Sequence, residues 1–305
     1  MTNSNSTSRA EPWSIRRLVV WATEDFKSRG FDSPRLDAEL LIGHVLGKTR
    51  IEIILDGERP LDQDELERFK ELAKRRRAGE PTSYLVGNRE FYGTAFEVNS
   101  NVLIPRPDTE ILVEVALERT QSVESGGMAL DLCTGSGCVA IAFALARREW
   151  TVTGIDISAA AIEVAQRNAN KLGLGASIRF ATGDLFDGML QAAQAMDNGG
   201  LASPLSLVTA NPPYIPSDVI PSLDVGIRDY EPRLALDGGP DGLNVAKRII
   251  ATAPQWLAAG GVLALEIGYD QAPAVSELMQ AAGFTEVQVK RDYGGHERVV
   301  SGIRG

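Results

Sequence analysis

The chain has 305 residues, of which 44% are hydrophobic and 24% charged. This profile excludes a disordered polypeptide and, at this length, favours one large domain with a smaller companion. A formal net charge of -10 excludes a protein whose affinity rests mainly on neutralising phosphates, since that interaction needs a surplus of Lys and Arg.

The first residues, Met1 to Ser8, are polar and lack the basic and apolar regions of a secretory signal; they read as a frayed tail on a cytoplasmic chain. From Ile15 to about Ala78 apolar residues recur at helical spacing, as in Leu18, Trp21, Ala22 and Phe26, then Leu36, Leu40, Leu41 and Val45. Ser33-Pro34 predicts an N-cap followed by a first-turn proline, and Asp62 ahead of Glu65 predicts a second helix start. Gly30, Gly47 and Gly79 predict three helix ends. The basic run Lys74-Arg75-Arg76-Arg77 reads as a solvated helix face, with an acidic protein or RNA surface as its alternative partner. Residues 1–83 are thus expected to form a small helical bundle.

Between 84 and 105 the period changes. Glu90 to Val98 alternates and is split at Gly93, which predicts a β-hairpin joining the bundle to a second domain over 106–305. In that domain a helix at 110–118 precedes strands at 128–133, 151–155, 178–181, 205–210 and 262–267. Helices are predicted at 139–147, 159–172, 245–257 and 274–282, and a closing pair of strands at 285–290 and 298–302. This alternation predicts an α/β fold, a mostly parallel sheet with helices on both faces. Residues 192–204 read as a loop insertion. Cys133 and Cys138 match neither a disulfide framework nor a zinc pair and read as buried small residues. No apolar run approaches the length needed to cross a bilayer.

In such sheets ligands bind beyond the carboxyl ends of the strands. After the first strand, the Gly135-Ser136-Gly137 turn lets a ligand approach the backbone, because a side chain at either glycine would obstruct it. Asp156 closes the second strand and can accept the hydroxyls of a ribose. With Ala140 in the place of a third glycine, the same residues also suit a nicotinamide dinucleotide. Asp184 and Leu185 after the third strand suit an adenine, the carboxylate accepting from its amine and the leucine packing on its ring; a helix cap is the alternative for Asp184.

Asn211-Pro212-Pro213-Tyr214 follows the fourth strand. Its prolines end the ladder and stiffen the loop. The Asn211 side-chain oxygen and the Pro212 carbonyl are then free to accept both hydrogens of a planar –NH2 group, with Tyr214 packed on its π face. Two acceptors favour a transition state in which a feebly nucleophilic amide nitrogen gains positive charge, and no strong base is needed. His44 and His296 lie in unrelated segments and are assigned no catalytic role.

At these residues the chain resembles the release-factor glutamine methyltransferases of the PrmC or HemK type, over nearly its full length. The resemblance is carried by Pro34-Arg35-Leu36-Asp37-Ala38-Glu39-Leu40-Leu41, by Glu90-Phe91-Tyr92-Gly93 and above all by Ile104-Pro105-Arg106-Pro107-Asp108-Thr109-Glu110. Glu231-Pro232-Arg233-Leu234-Ala235-Leu236 with Gly238-Gly239 and Asp241-Gly242, and Arg298-Val299-Val300, add to it. It implies a Rossmann-like class I methyltransferase domain with a seven-stranded sheet, mostly parallel with the last strand antiparallel. It further implies S-adenosylmethionine as cofactor and, as substrate, the side-chain amide nitrogen (N5) of the glutamine in the Gly-Gly-Gln tripeptide of class 1 peptide-chain release factors.

On that resemblance Cys133, Thr134, Gly135, Ser136 and Gly137 would wrap the methionine part, Asp156 would hold the ribose, and Asp184 with Leu185 the adenine. Asn211, Pro212, Pro213 and Tyr214 would form the catalytic motif that grips the glutamine, with Asn211 also beside the cofactor. Arg106 would contact substrate, the helical domain would grip the release factor, and no metal is expected. The chain is expected to act as a monomer, with no stable nucleic acid and no membrane. Cys133 stands where this family more often has Gly, and Asp131 to Gly137 is similar to the related ribosomal protein L3 glutamine methyltransferases. Leu185 replaces an aromatic of some members. An L3 substrate therefore stays open, as does an adenine-N6 nucleic-acid methyltransferase, since the same motif grips any planar –NH2, although the charge opposes it. A nicotinamide-dependent or noncatalytic adenosine-binding protein is the remaining alternative.

Overall fold

The computed structural model describes residues 12–123, 126–189 and 204–305. The predicted tail, and the predicted insertion up to residue 203, lie outside the described residues. The chain divides into two compact units, Met1–Val86 and Gly87–Gly305.

The first unit is helical: α1 (Ile15–Lys27), α2 (Pro34–Leu46), α3 (Arg50–Leu55), α4 (Gln63–Arg77) and α5 (Thr82–Val86). Ile15, Leu18, Ala22 and Phe26 of α1 are buried one turn apart and meet Leu41, Ile42 and Phe69 in one apolar cluster. The start at Asp62 is a capping box with Glu65, and α2 ends on Gly47 at φ 63, the left-handed conformation that favours glycine. Pro34 occupies the first turn of α2, but Ser33 makes no side-chain cap; its carbonyl takes the Asp37 N–H instead. The short helices α3 and α5 went unpredicted because neither is long enough to display a full apolar period. The basic run is a helix face whose cations are largely answered within the unit, Arg75 by Glu80, Arg76 by Asp37 and Arg77 by Asp25.

The second unit opens with the hairpin β1 (Asn88–Phe91) and β2 (Thr94–Glu97), which turns at Tyr92 and Gly93, both at positive φ. After α6 (Glu110–Arg119) come β3 (Met128–Leu132), α7 (Cys138–Ala146), β4 (Thr151–Asp156), α8 (Ala159–Lys171), β5 (Ile178–Thr182) and β6 (Leu205–Ala210). The short α9 (Val225–Arg228) and α10 (Asn244–Thr252) lead to β7 (Leu257–Glu266), α11 (Ala272–Ala281), β8 (Phe284–Arg291) and β9 (Glu297–Arg304). The seven strands lie in the order β5-β4-β3-β6-β7-β9-β8; β3 to β7 pair in parallel, and β9 runs antiparallel to both its neighbours. This is the predicted sheet, including the antiparallel last strand.

Along β7, Val262 and Ala264 join the apolar cluster containing α6 and α7, while Leu263 and Leu265 join the one containing α10 and α11. Residues alternate across a strand, so the two clusters cover opposite faces. Most boundaries shift by a residue or two, and two of the differences have a plain cause. The helix predicted at 245–257 ends at Thr252, where Pro254 enters a 3-10 turn, and Leu257 already opens β7. The first strand of the domain stops at Leu132 because Cys133 adopts φ 55. Among the described residues no helix is long and apolar enough to cross a membrane, and no group of His, Cys, Asp and Glu could hold a metal ion.

Candidate active site

A cavity of about 240 Å³ opens past the carboxyl ends of β3, β4 and β6, walled by Arg106, Cys133, Gly135, Asp156, Leu185 and Asn211 among others. Its floor is the turn after β3. Cys133, Gly135 and Gly137 all sit at positive φ (55, 54 and 78), so the chain coils tightly before entering α7. The turn is anchored from below by Asp131, whose carboxylate accepts hydrogen bonds from the Thr134 hydroxyl at 2.6 Å and the Thr209 hydroxyl at 2.8 Å. Burial pushes the Asp131 carboxyl up to about 6 against the pull of those donors. Asn168 of α8, also buried, donates to the Ser136 carbonyl at 2.9 Å and ties the turn to Glu97 of the hairpin.

The two glycines differ in task. A Cβ at Gly135 would meet nothing within 4 Å, so its open side is the cavity, whereas one at Gly137 would come within 3.0 Å of Ala165 and 3.2 Å of Ile141 and Phe180. Room for a ligand is thus the business of Gly135; Gly137 does not line the cavity and is needed for conformation and helix packing. Cys138 is buried as expected, but Cys133 is only half-buried and belongs to the cavity wall. Its left-handed backbone explains why glycine suits that position. Burial holds the Cys133 thiol well above its ordinary range, so it presents a neutral S–H.

Asp156 uses one oxygen to accept the Gly135 N–H at 2.9 Å and the other the Ser158 N–H at 2.9 Å. It shapes the turn and still offers further lone pairs to the cavity. Asp184 also lines the cavity, with one oxygen paired to Arg248 of α10 at 2.8 Å. Leu185, nearly buried at φ 52, supplies apolar wall. Arg248 carried no sequence signal, since its partner lies 64 residues earlier.

Beyond β6, the Asn211 side-chain nitrogen donates to the Thr109 hydroxyl at 3.2 Å, and its carbonyl oxygen accepts no hydrogen bond among the described residues. Asn211 and Pro213 line the cavity; Pro212 is buried and does not, though no backbone N–H among the described residues donates to its carbonyl. Tyr214 does not line the cavity either. Its hydroxyl turns toward Glu266 Oε1 at 3.5 Å, and burial pushes the phenol far above its ordinary range. Glu266, the last residue of β7, is 1% exposed. Burial pushes its carboxyl up to about 7, opposed by the neighbouring Thr109 hydroxyl and the Arg298 charge. Arg106 reaches both oxygens of buried Glu231 at 2.7 Å and so joins two of the sequence blocks singled out above. Asp131, Thr109, Glu231, Arg248 and Glu266 were not assigned roles from sequence; a carboxylate inside an apolar strand was the one signal available, for Asp131 and Glu266.

The description "PrmC N-terminal domain" matches residues 17–87, and "Methyltransferase domain" matches 123–209. A release factor glutamine methyltransferase of Chlorobaculum tepidum is 42% identical over 95% of this chain and 97% of its own length. Another, of Rhodopirellula baltica, is 37% identical over 97% of this chain and 98% of its own. The hMettl16 catalytic domain, solved with an RNA hairpin, superposes with a TM-score of 0.52 at 15% identity over 70% of this chain and 77% of that one, a likeness of fold alone.

Proposed function

Since the chain belongs to the release factor glutamine methyltransferases, enzymes that use S-adenosylmethionine to methylate a release-factor glutamine, we propose that its acceptor is the amide nitrogen (N5) of the glutamine in the Gly-Gly-Gln tripeptide of class 1 release factors. One observation carries the assignment: Asn211 has its nitrogen committed to Thr109 and, among the described residues, its oxygen unspent on the wall of the cavity beyond β3, β4 and β6.

The residues present fit S-adenosylmethionine. The open side of Gly135 lets a ligand lie against backbone, with Cys133, Thr134 and Ser136 around it. Asp156, already oriented by two N–H groups, offers its remaining lone pairs to a ribose. Leu185 covers an adenine ring, and Asp184, held by Arg248, accepts from its amine. When bound, S-adenosylmethionine supplies an electrophilic methyl group on a sulfonium.

The Asn211 oxygen and the Pro212 carbonyl accept one hydrogen each from the glutamine –NH2 and hold its nitrogen in line for attack. Both acceptors grow more favourable as that nitrogen gains positive charge, an effect worth on the order of 10²–10³ in rate for one preorganised group. The surplus proton leaves to water. Tyr214 braces the corner through Glu266, and Arg106 holds the neighbouring loop by its pairing with Glu231. The helical unit grips the release factor, and the enzyme works in the cytoplasm as a monomer. A ribosomal protein L3 substrate is disfavoured because the relatives matched over nearly full length are named for release factors; a nucleic-acid substrate is disfavoured by the charge of -10. The test is mass spectrometry of the Gly-Gly-Gln peptide after incubation with release factor and cofactor. One added methyl is expected; an unmodified peptide beside labelled L3, rRNA or DNA overturns the assignment.

A further inference from the structure

Resting on that reading of Asn211, we propose that Asp131 and Thr209 are positioning residues that fasten the turn holding the cofactor to the strand carrying Asn211, so that methyl donor and acceptor keep one spacing. Methyl transfer asks for reacting atoms about 3–3.5 Å apart, and a misplacement of about 1 Å can cost on the order of 10² in rate. The two halves of this site come from different strands, and their spacing has to be set by something between them.

Asp131 stands in the middle of the sheet, opposite Gly154 of β4 on one side and Thr209 of β6 on the other. Its carboxylate divides its oxygens between the two halves of the site. Oδ2 accepts the hydroxyl of Thr134, in the cofactor turn, at 2.6 Å, and Oδ1 accepts the hydroxyl of Thr209 at 2.8 Å. All three residues are buried. Thr134 leans over the carboxylate in the space that Gly154 leaves, since a Cβ there would lie 2.9 Å from its hydroxyl oxygen. Asn211 follows Thr209 by two residues. The pairing of β3 with β6 ends at Leu132 and Ala210. Past that point Cys133 turns left-handed, and Pro212 and Pro213 have no N–H to donate. The bridge therefore ties the two chains together one residue short of where their pairing stops.

Stability gives no reason for a carboxylate at this place. Burial pushes the Asp131 carboxyl up to about 6 and the Asp156 charge adds to the rise, while the Thr134 and Thr209 hydroxyls oppose it. At neutral pH its charge thus works against folding, and apolar side chains of similar volume are often tolerated as well or better in a buried site. What a carboxylate offers is acceptance of both hydroxyls at once. An amide in its place would set a donor against one of them.

The test compares Thr209→Val, Thr209→Ser and Asp131→Asn in the full-length enzyme acting on intact release factor. Thr209 does not line the cavity. Thr209→Val, which deletes the hydroxyl and keeps the shape, should lower kcat by roughly 10–100-fold while KM for release factor and affinity for S-adenosylhomocysteine stay within about threefold. Thr209→Ser restores the hydroxyl and should recover most of the loss. Undiminished kcat in Thr209→Val, a Ser variant as impaired as Val, or a kcat loss matched by an equal loss of S-adenosylhomocysteine affinity overturns the proposal. Should Thr209→Val not fold, Asp131→Asn decides: it keeps the size but turns an –NH2 on one hydroxyl, so kcat should fall, and undiminished kcat overturns the proposal. Asn211→Ala separates the two readings: if that variant is inactive while Thr209→Val is fully active, the bridge is wrong and the reading of Asn211 stands. An active Asn211→Ala refutes the reading of Asn211 itself.

Discussion

Asp156 does two jobs with one carboxylate, fixing the Gly135 turn through backbone N–H groups and facing the cavity in which we propose the cofactor binds. Removing it costs both. Asp156→Ala should raise the dissociation constant for S-adenosylhomocysteine by roughly 10–100-fold, the value of a charge-assisted hydrogen bond or two; calorimetry reads this directly, and an unchanged constant would contradict the assignment. Asn211→Ala should do the opposite, leaving that constant within a few-fold and cutting kcat by about 10²–10³. These residues were legible in the sequence because each directly follows a strand, where an open α/β sheet places its ligands. Their partners were not. Thr109, Arg248 and Glu266 act through neighbours 102, 64 and 52 residues away, and such pairings exist only once the strand order is known.

At the level of elements, β4 meets β5 and the turn after β3 at Gly154, with no room to spare. A Cβ there would lie 2.6 Å from the Phe180 ring and 2.9 Å from the Thr134 hydroxyl. Gly154→Ala should destabilise the fold by about 1–3 kcal/mol, as overpacking a filled core does, seen as a lower denaturant midpoint. Because Thr134 is bonded to Asp131, the same change should also weaken cofactor binding. Strands and long helices were readable from their apolar runs and periods, with ends misplaced by a residue or two except at β7, which starts five residues before the predicted 262. The larger miss, the helix drawn on to 257, arose because an apolar stretch continued across Pro254 while the backbone changed from helix to strand. Tyr214 was given a place against the substrate because four adjacent residues were read as one surface; its hydroxyl turns toward Glu266.

For the molecule as a whole, two buried carboxyls tie stability to pH. Asp131 and Glu266 are raised in the folded state from ordinary values of 3.8 and 4.5 to about 6 and about 7. The folded chain therefore binds protons more tightly than the unfolded one. Their contribution is fully present below those ordinary values and is lost as pH rises through about 6 and about 7. Glu266→Gln should consequently raise the melting temperature relative to the wild type at pH 8, with the gain shrinking toward pH 5, as scanning calorimetry would record. Among the described residues, every one lining the proposed cofactor cavity lies in Gly87–Gly305, and the helical unit has a core of its own. Residues 87–305 alone should bind S-adenosylhomocysteine within a few-fold of the intact chain while losing most activity on release factor. The strand order also governs assembly during synthesis. β9 is made after β8, yet it lies between β7 and β8. β8 emerges earlier with no place to pair and must wait until its successor slots in. An interrupted or nicked chain lacking β9 would leave β7 with an unpaired edge and β8 unattached, a ready target for quality-control proteases.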